Sequence, residues 1–193
     1  MSSVIIAGDT SGSVTLSAPA VSGTTTLTLP TTSGTVITTA STFAGTGPAF
    51  SAFLPSNQTI TSSVGTRVAF SSETFDTASC FNNTGSTVGS IPAYSFLPNV
   101  AGYYQFNVSI NIEAAVSPTR ALVSFIKSST GTKRAADVLP NPLNAVNGSA
   151  LIYMNGTTDS ICIDAYITAT TARIGGDANG ELTYFSGCLV RAA

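Results

Sequence analysis

Gly102-Tyr103-Tyr104-Gln105-Phe106-Asn107-Val108-Ser109-Ile110-Asn111-Ile112 decides the fold class. From Tyr104 onward an apolar residue stands at every second position: Tyr104, Phe106, Val108, Ile110 and Ile112. Tyr103, Gln105, Asn107, Ser109 and Asn111 fill the alternate ones. Successive side chains of a strand point to opposite faces, so this run is a strand with one apolar side turned to a core. The same period recurs at Ile161, Ile163, Ala165 and Ile167, at Val68 and Phe70, at Val123 and Phe125, and at Phe185, Gly187 and Leu189. Turn signals separate these runs: Asn83-Thr84-Gly85, Pro98-Asn99, Ser117-Pro118, Ser129-Thr130-Gly131, Asn155-Gly156 and Asn179-Gly180. No credible amphipathic helix interrupts the pattern, and the expectation is an all-β, antiparallel sandwich or jelly roll.

Composition sets the surface problem. Charged residues are 8% of the 193, against about 25% in an ordinary soluble domain. Mean hydropathy is +0.33. Such a surface is kept in solution by Ser, Thr and Asn, with apolar area covered between subunits. A net charge of −2 offers no field for a phosphate backbone, which argues against nucleic-acid binding. Residues 1–10 lack a basic segment followed by a long apolar one, and no stretch approaches the roughly 18 apolar residues of a membrane span. Neither Sec-type secretion nor membrane insertion is expected. The Asn-x-Ser/Thr sequons at Asn57, Asn82, Asn107, Asn147 and Asn155 accordingly read as coincidence in a chain rich in these residues. Cys80, Cys162 and Cys188 have no metal-site spacing and read as buried free thiols, a Cys162–Cys188 bridge remaining open.

The first forty residues repeat. Ser11-Gly12-Ser13-Val14-Thr15-Leu16, Ser22-Gly23-Thr24-Thr25-Thr26-Leu27 and Ser33-Gly34-Thr35-Val36-Ile37 begin at intervals of 11 residues, each a Ser-Gly turn followed by a β-prone run. Units this short cannot bury a core within one chain. Three copies around one axis would pair their strand edges and cover Val14, Leu16, Leu27, Leu29, Val36 and Ile37. Residues 1–39 are therefore expected to form a stalk, with Val4, Ile5 and Ile6 as an apolar anchor. Residues 40–48 form a linker and residues 49–193 a head.

Two resemblances add to this reading. Residues 4–39, with Ile-Ala-Gly-Asp-Thr-Ser-Gly, Thr-Leu-Thr-Leu-Pro and Gly-Thr-Val-Ile-Thr-Thr in succession, look like segments of bacteriophage fibre and appendage proteins. Residues 49–191 resemble a C1q-like globular head, of the complement and tumour-necrosis-factor type. The matching pieces are Ala49-Phe50-Ser51-Ala52, Phe75-Asp76 with Phe81-Asn82, and Ile91-Pro92-Ala93-Tyr94-Ser95-Phe96 leading to Gly102-Tyr103-Tyr104-Gln105-Phe106. A segment at 155–161 and the closing Phe185-Ser186-Gly187 complete the set. The resemblance implies a homotrimer, with Phe50, Tyr104, Phe106, Phe185 and Leu189 on or near the sheets that form the core and the threefold contact. The family's Gly-Asp step is loosened here to Gly156-Thr157-Thr158-Asp159, and no dense acidic cluster marks a calcium site, so no metal or cofactor is expected.

Catalysis is poorly served. Without histidine, Ser-His and Cys-His nucleophile arrangements cannot be built. Asp159 and Asp164, the nearest approach to a glycosidase pair, are an odd number of residues apart and would face opposite ways in one strand. Both are expected to be solvated acids. Polar loops at 82–90, 128–137 and 139–148 suit recognition by contact, and Lys127, Lys133, Arg134 and Asp137 supply the densest charge. The expected function is that of a non-enzymatic, homotrimeric virion structural protein on the particle surface. In one form it is a tail fibre or appendage whose head meets a host-surface receptor or glycan. The alternative is a capsid decoration or head-fibre protein anchored to other virion proteins through its N-terminal segment.

Overall fold

The computed structural model describes residues 3–7, 9–17, 20, 21, 23, 24, 26, 31, 47–113, 118–131 and 145–193, together with the backbone of 133–138. The chain divides into two compact units, Met1–Ala44 and Gly45–Ala193. No helix occurs among the described residues.

In chain order the strands are β1 (Ser3–Ala7), β2 (Ser13–Ser17), β3 (Ala49–Phe53), β4 (Gln58–Thr59), β5 (Thr66–Arg67), β6 (Ser72–Asp76), β7 (Phe81–Asn82), β8 (Ser95–Phe96), β9 (Gly102–Ile112), β10 (Arg120–Lys127), β11 (Lys133–Val138), β12 (Ala145–Met154), β13 (Ile161–Thr168), β14 (Arg173–Gly175) and β15 (Tyr184–Ala192). In the first unit β1 and β2 pair as an antiparallel hairpin, with Val4 opposite Leu16 and Ile6 opposite Val14. Gly12 takes the positive φ of +77° that its turn needs.

The second unit is a two-sheet antiparallel sandwich. Its larger sheet is centred on β9, which pairs with β12 on one side and β15 on the other; β3 and then β6 continue beyond β15. β14 pairs with the far end of β9, and β4 with β14. The smaller sheet runs β11-β10-β13-β8-β7, with β5 also against β13.

The period-two pattern fixes which side of each strand is inside. Along β9, residues 102, 104, 106, 108, 110 and 112 are all buried, and none of the alternate residues is. The facing sheets enclose an aromatic core. Phe50 stacks on Phe96 and Phe81 with centroids 4.5 and 4.9 Å away and meets Phe185 edge-on at 4.9 Å. Such offset and edge-to-face contacts add to the area each ring buries. The buried Tyr104 hydroxyl donates to the Val100 carbonyl at 2.8 Å, so its polar end is satisfied.

Loops are tied by side chains rather than left free. Asn82 is buried; its amide donates to the Ser86 and Ile91 carbonyls at 2.8 and 2.9 Å, and its oxygen accepts from the Thr84 N–H at 2.9 Å. The polar loop after residue 82 is thus clamped from its base. Asn155 holds the next turn the same way, accepting from the N–H groups of Thr157, Thr158 and Asp159. Cys80, Cys162 and Cys188 are free, and the bridge left open between Cys162 and Cys188 is absent, these residues lying in different sheets.

Candidate functional site

The core claims one side of the larger sheet, so the opposite side is left for contact with anything else. Its positions follow from strand register. Tyr153 lies opposite Tyr103, Leu151 opposite Gln105, Ser149 opposite Asn107 and Asn147 opposite Ser109. Across the other edge of β9, Cys188 lies opposite Gln105, Ser186 opposite Asn107 and Tyr184 opposite Ser109. Ser51 and Phe53 of β3 extend the rows beside Ser186 and Tyr184, and Phe75 lies beside Ser51.

The resulting face has an apolar end and a polar middle. Tyr103 and Tyr153 pack edge-on at 5.5 Å. Together with Leu151 and Val190 they are between 42% and 60% exposed, which is high for large apolar groups in adjoining positions, and Tyr184 is exposed farther along, opposite Ser109. Beside them the Gln105 amide donates to the Ser149 hydroxyl at 2.7 Å, which donates in turn to the Asn107 oxygen at 3.1 Å. A shallow hollow of about 290 Å³ opens between Asn107, Asn147, Ser149 and Tyr184. Among the outward residues of β3, β9, β12 and β15 the one charge is Arg191, opposite Tyr103.

Charge is concentrated elsewhere. On the smaller sheet Arg67 Nε pairs with Asp164 Oδ1 at 3.0 Å, and the Arg120 guanidinium lies 5.8 Å from the centre of the Tyr166 ring. Arg173 pairs with Glu113 where β14 meets the end of β9. Lys127 Nζ and Asp159 Oδ2 are 2.8 Å apart, both side chains at most 10% exposed, with the Tyr153 ring centre 5.7 Å from the ammonium. Burial would raise the Asp159 carboxyl, but the Lys127 ammonium, the Ser129 hydroxyl and the Asn155 N–H outweigh it and hold the group below its ordinary range. Among the described residues no three metal-ligating side chains converge.

Several sequence expectations are corrected by this geometry. Phe50, Tyr104, Phe106 and Phe185 are wholly buried between the sheets of one chain and cannot reach another copy; Leu189 is half-buried against the same core. Alternation gives each strand only one inner side, so it is their neighbours in sequence that face outward. Lys127 is no surface residue: it is the last inward position of β10 after Ala121, Val123 and Phe125. Asp159, expected to be solvated, is its buried partner. Lys133, Arg134 and Asp137 belong to β11, paired in register with Ile126, Phe125 and Leu122, rather than to a loop. Val4, Ile5, Ile6, Val14 and Leu16 lie exposed on the hairpin. Leu27, Leu29, Val36 and Ile37 lie outside the described residues. Missing from the sequence reading was the outward set itself, whose signal is the near absence of charge beside exposed aromatic residues.

No family model matches the chain, and no curated protein matches it in sequence. Solved structures do match in fold. Murine APRIL aligns over 75% of this chain and 99% of its own, with a TM-score of 0.54 and 9% identity. The vertex protein P5 of PRD1 aligns over 75% of this chain and 98% of its own, with a TM-score of 0.52 and 15% identity. The head thus has the all-β, antiparallel jelly-roll fold that these structures share.

Proposed function

We propose that this chain is a non-enzymatic virion structural protein that assembles as a homotrimer through the outer face of its larger sheet. Three jelly-roll heads are then presented on the particle surface, and the N-terminal segment joins them to other virion proteins. The observation that carries the reading is the segregation of charge. One side of the sandwich bears the Arg67–Asp164 pair and Arg120, while on the opposite side Arg191 is the one charged outward residue of β3, β9, β12 and β15, beside exposed Tyr103, Tyr153, Leu151 and Val190. Loss of charged groups and gain of tyrosine is the composition of an interface core. With only 8% charged residues overall, covering this face also removes the solubility problem that the composition poses.

Within the virion the primary reading is a tail fibre or appendage whose head meets a host-surface receptor or glycan. The charged side of the sandwich, which a trimer built on the opposite face leaves open, is the recognition surface. A second reading, capsid decoration or head fibre, is favoured by the likeness of the head to a vertex protein over nearly all of that protein's length.

Sedimentation equilibrium tests the assembly: the full chain is expected at three times its 19.5 kDa mass, and a monomer at micromolar concentration overturns the proposal. Immunogold labelling of purified particles then separates the readings. Label at tail tips supports the first, label at vertices the second, and unlabelled particles exclude both.

A further inference from the structure

The N-terminal hairpin is amphipathic in a way that needs a cover. Register brings Val4 opposite Leu16 and Ile6 opposite Val14, so these four share one side, while Ile5 and Ala7 face Thr15 and Ser13 on the other. All four are more than half exposed. Among the described residues nothing further pairs with this hairpin, and a two-stranded hairpin with an uncovered apolar side is marginal in water.

We infer that this side is a contact between copies of the chain, in which Val4, Ile6, Val14 and Leu16 of each protomer pack against the same four residues of the others. The inference rests on the trimeric assembly proposed above, which brings the copies together. Three observations favour a second copy over another partner. First, Asp9, in the turn, is the only charged residue before Arg67, and neither strand carries a lysine or proline at its edge, so nothing repels an identical neighbour. Second, the Ser-Gly turn recurs at 22 and 33, and Gly12 and Gly23 both take positive φ, +77° and +57°. Sequence that repeats its own strand-and-turn unit stacks on units of its own kind. Third, hairpins tethered to a common set of heads meet at high effective concentration, which a separate protein in solution must outcompete.

Photocrosslinking of the full-length protein tests this. With Leu16→p-benzoylphenylalanine, irradiation is expected to give covalent dimers and trimers on denaturing gels, with the link mapping between position 16 and residues 3–17 of a second copy. Adding Ile6→Asp, which places a charge within the quartet, is expected to remove these products while the sedimenting mass stays trimeric. A trimer that yields only unlinked chains, or links elsewhere, overturns the inference alone. So does a dimer band that survives Ile6→Asp, since it reports tethered proximity without packing. A monomeric full-length chain overturns the inference and the trimer together.

Discussion

Tyr103 meets Tyr153 edge-on across the β9–β12 pair, with ring centroids 5.5 Å apart and planes at 61°, on the open side of the larger sheet. One residue further on, Tyr104 is wholly buried and stacks beside Phe106 on the other side. The same residue type at consecutive positions thus has two jobs, and strand alternation assigns them. Tyr104 stabilises the chain, and Tyr103 is available to a partner.

Tyr103→Lys, which sets a second cation opposite Arg191, is therefore expected to weaken self-association without unfolding the head. A charge in the apolar end of the face must be desolvated on assembly, and a central aromatic contact is worth about 2 kcal/mol or more, which corresponds to at least about 30-fold in the association constant. Sedimentation of the variant at several concentrations, with far-ultraviolet circular dichroism as the check on folding, gives the answer. Unchanged association would remove this face from the assembly.

Changes on the inner side are expected to act the opposite way. Phe50→Ala removes the ring that touches Phe81, Phe96 and Phe185, and large-to-small core changes of this kind cost about 3–5 kcal/mol. Gly187→Ala is smaller but still costly. Its new Cβ would stand 2.5 Å from a Phe106 ring carbon and 2.9 Å from one of Phe50, and such overpacking costs about 1–3 kcal/mol. Urea unfolding should register both changes. If either variant kept wild-type stability while losing association, the division between inner and outer residues would be wrong.

Much of the head was legible in sequence because its strands are long and half-buried. The alternation through 102–112 and 161–167 placed β9 and β13 and their inward residues correctly, since period two has one meaning for the backbone. Charge and Ser-Thr-Gly turn signals dominate residues 128–137 and point to a loop, whereas pairing with β10 makes 133–137 part of a strand. Lys127 was misplaced for a similar reason. A lysine closing an apolar run looks like a surface residue until the fold brings Asp159, 32 positions away, within 2.8 Å of it. The proposed contact face was hidden more deeply, because an outward tyrosine in a strand carries no mark of whether water or another subunit will cover it.

Cys188 offers a chemical probe of that cover. It is exposed, opposite Gln105 on the outer face, whereas Cys80 and Cys162 are buried. Burial pushes the Cys162 thiol up to about 12 and raises Cys80 as well, which leaves little reactive thiolate at either. Native protein is expected to show one fast thiol toward a disulfide reagent, and three after denaturation. Its rate is expected to fall as concentration rises into the assembling range, as the face closes over Cys188. A rate independent of concentration, in protein shown to associate, would place Cys188 outside the contact.

The Lys127–Asp159 pair leads to a prediction whose sign depends on pH. Removing one partner of a buried pair strands the other charge, so Lys127→Met is expected to cost about 3–5 kcal/mol near neutral pH, and Lys127→Met with Asp159→Asn distinctly less. In the wild type the Asp159 carboxyl is held below its unfolded value of 3.8. Its contribution is fully present above that pH and is lost as pH falls through the lower folded value. Without the ammonium, burial raises the same carboxyl, and the folded variant then takes up a proton more readily than the unfolded chain. Acid therefore erodes the wild type at this site and relieves the variant. The stability gap between wild type and Lys127→Met is expected to narrow from about pH 7 to about pH 3, measured as paired urea midpoints. A gap that stayed constant over that range would mean that the two side chains do not meet as charges in the folded protein.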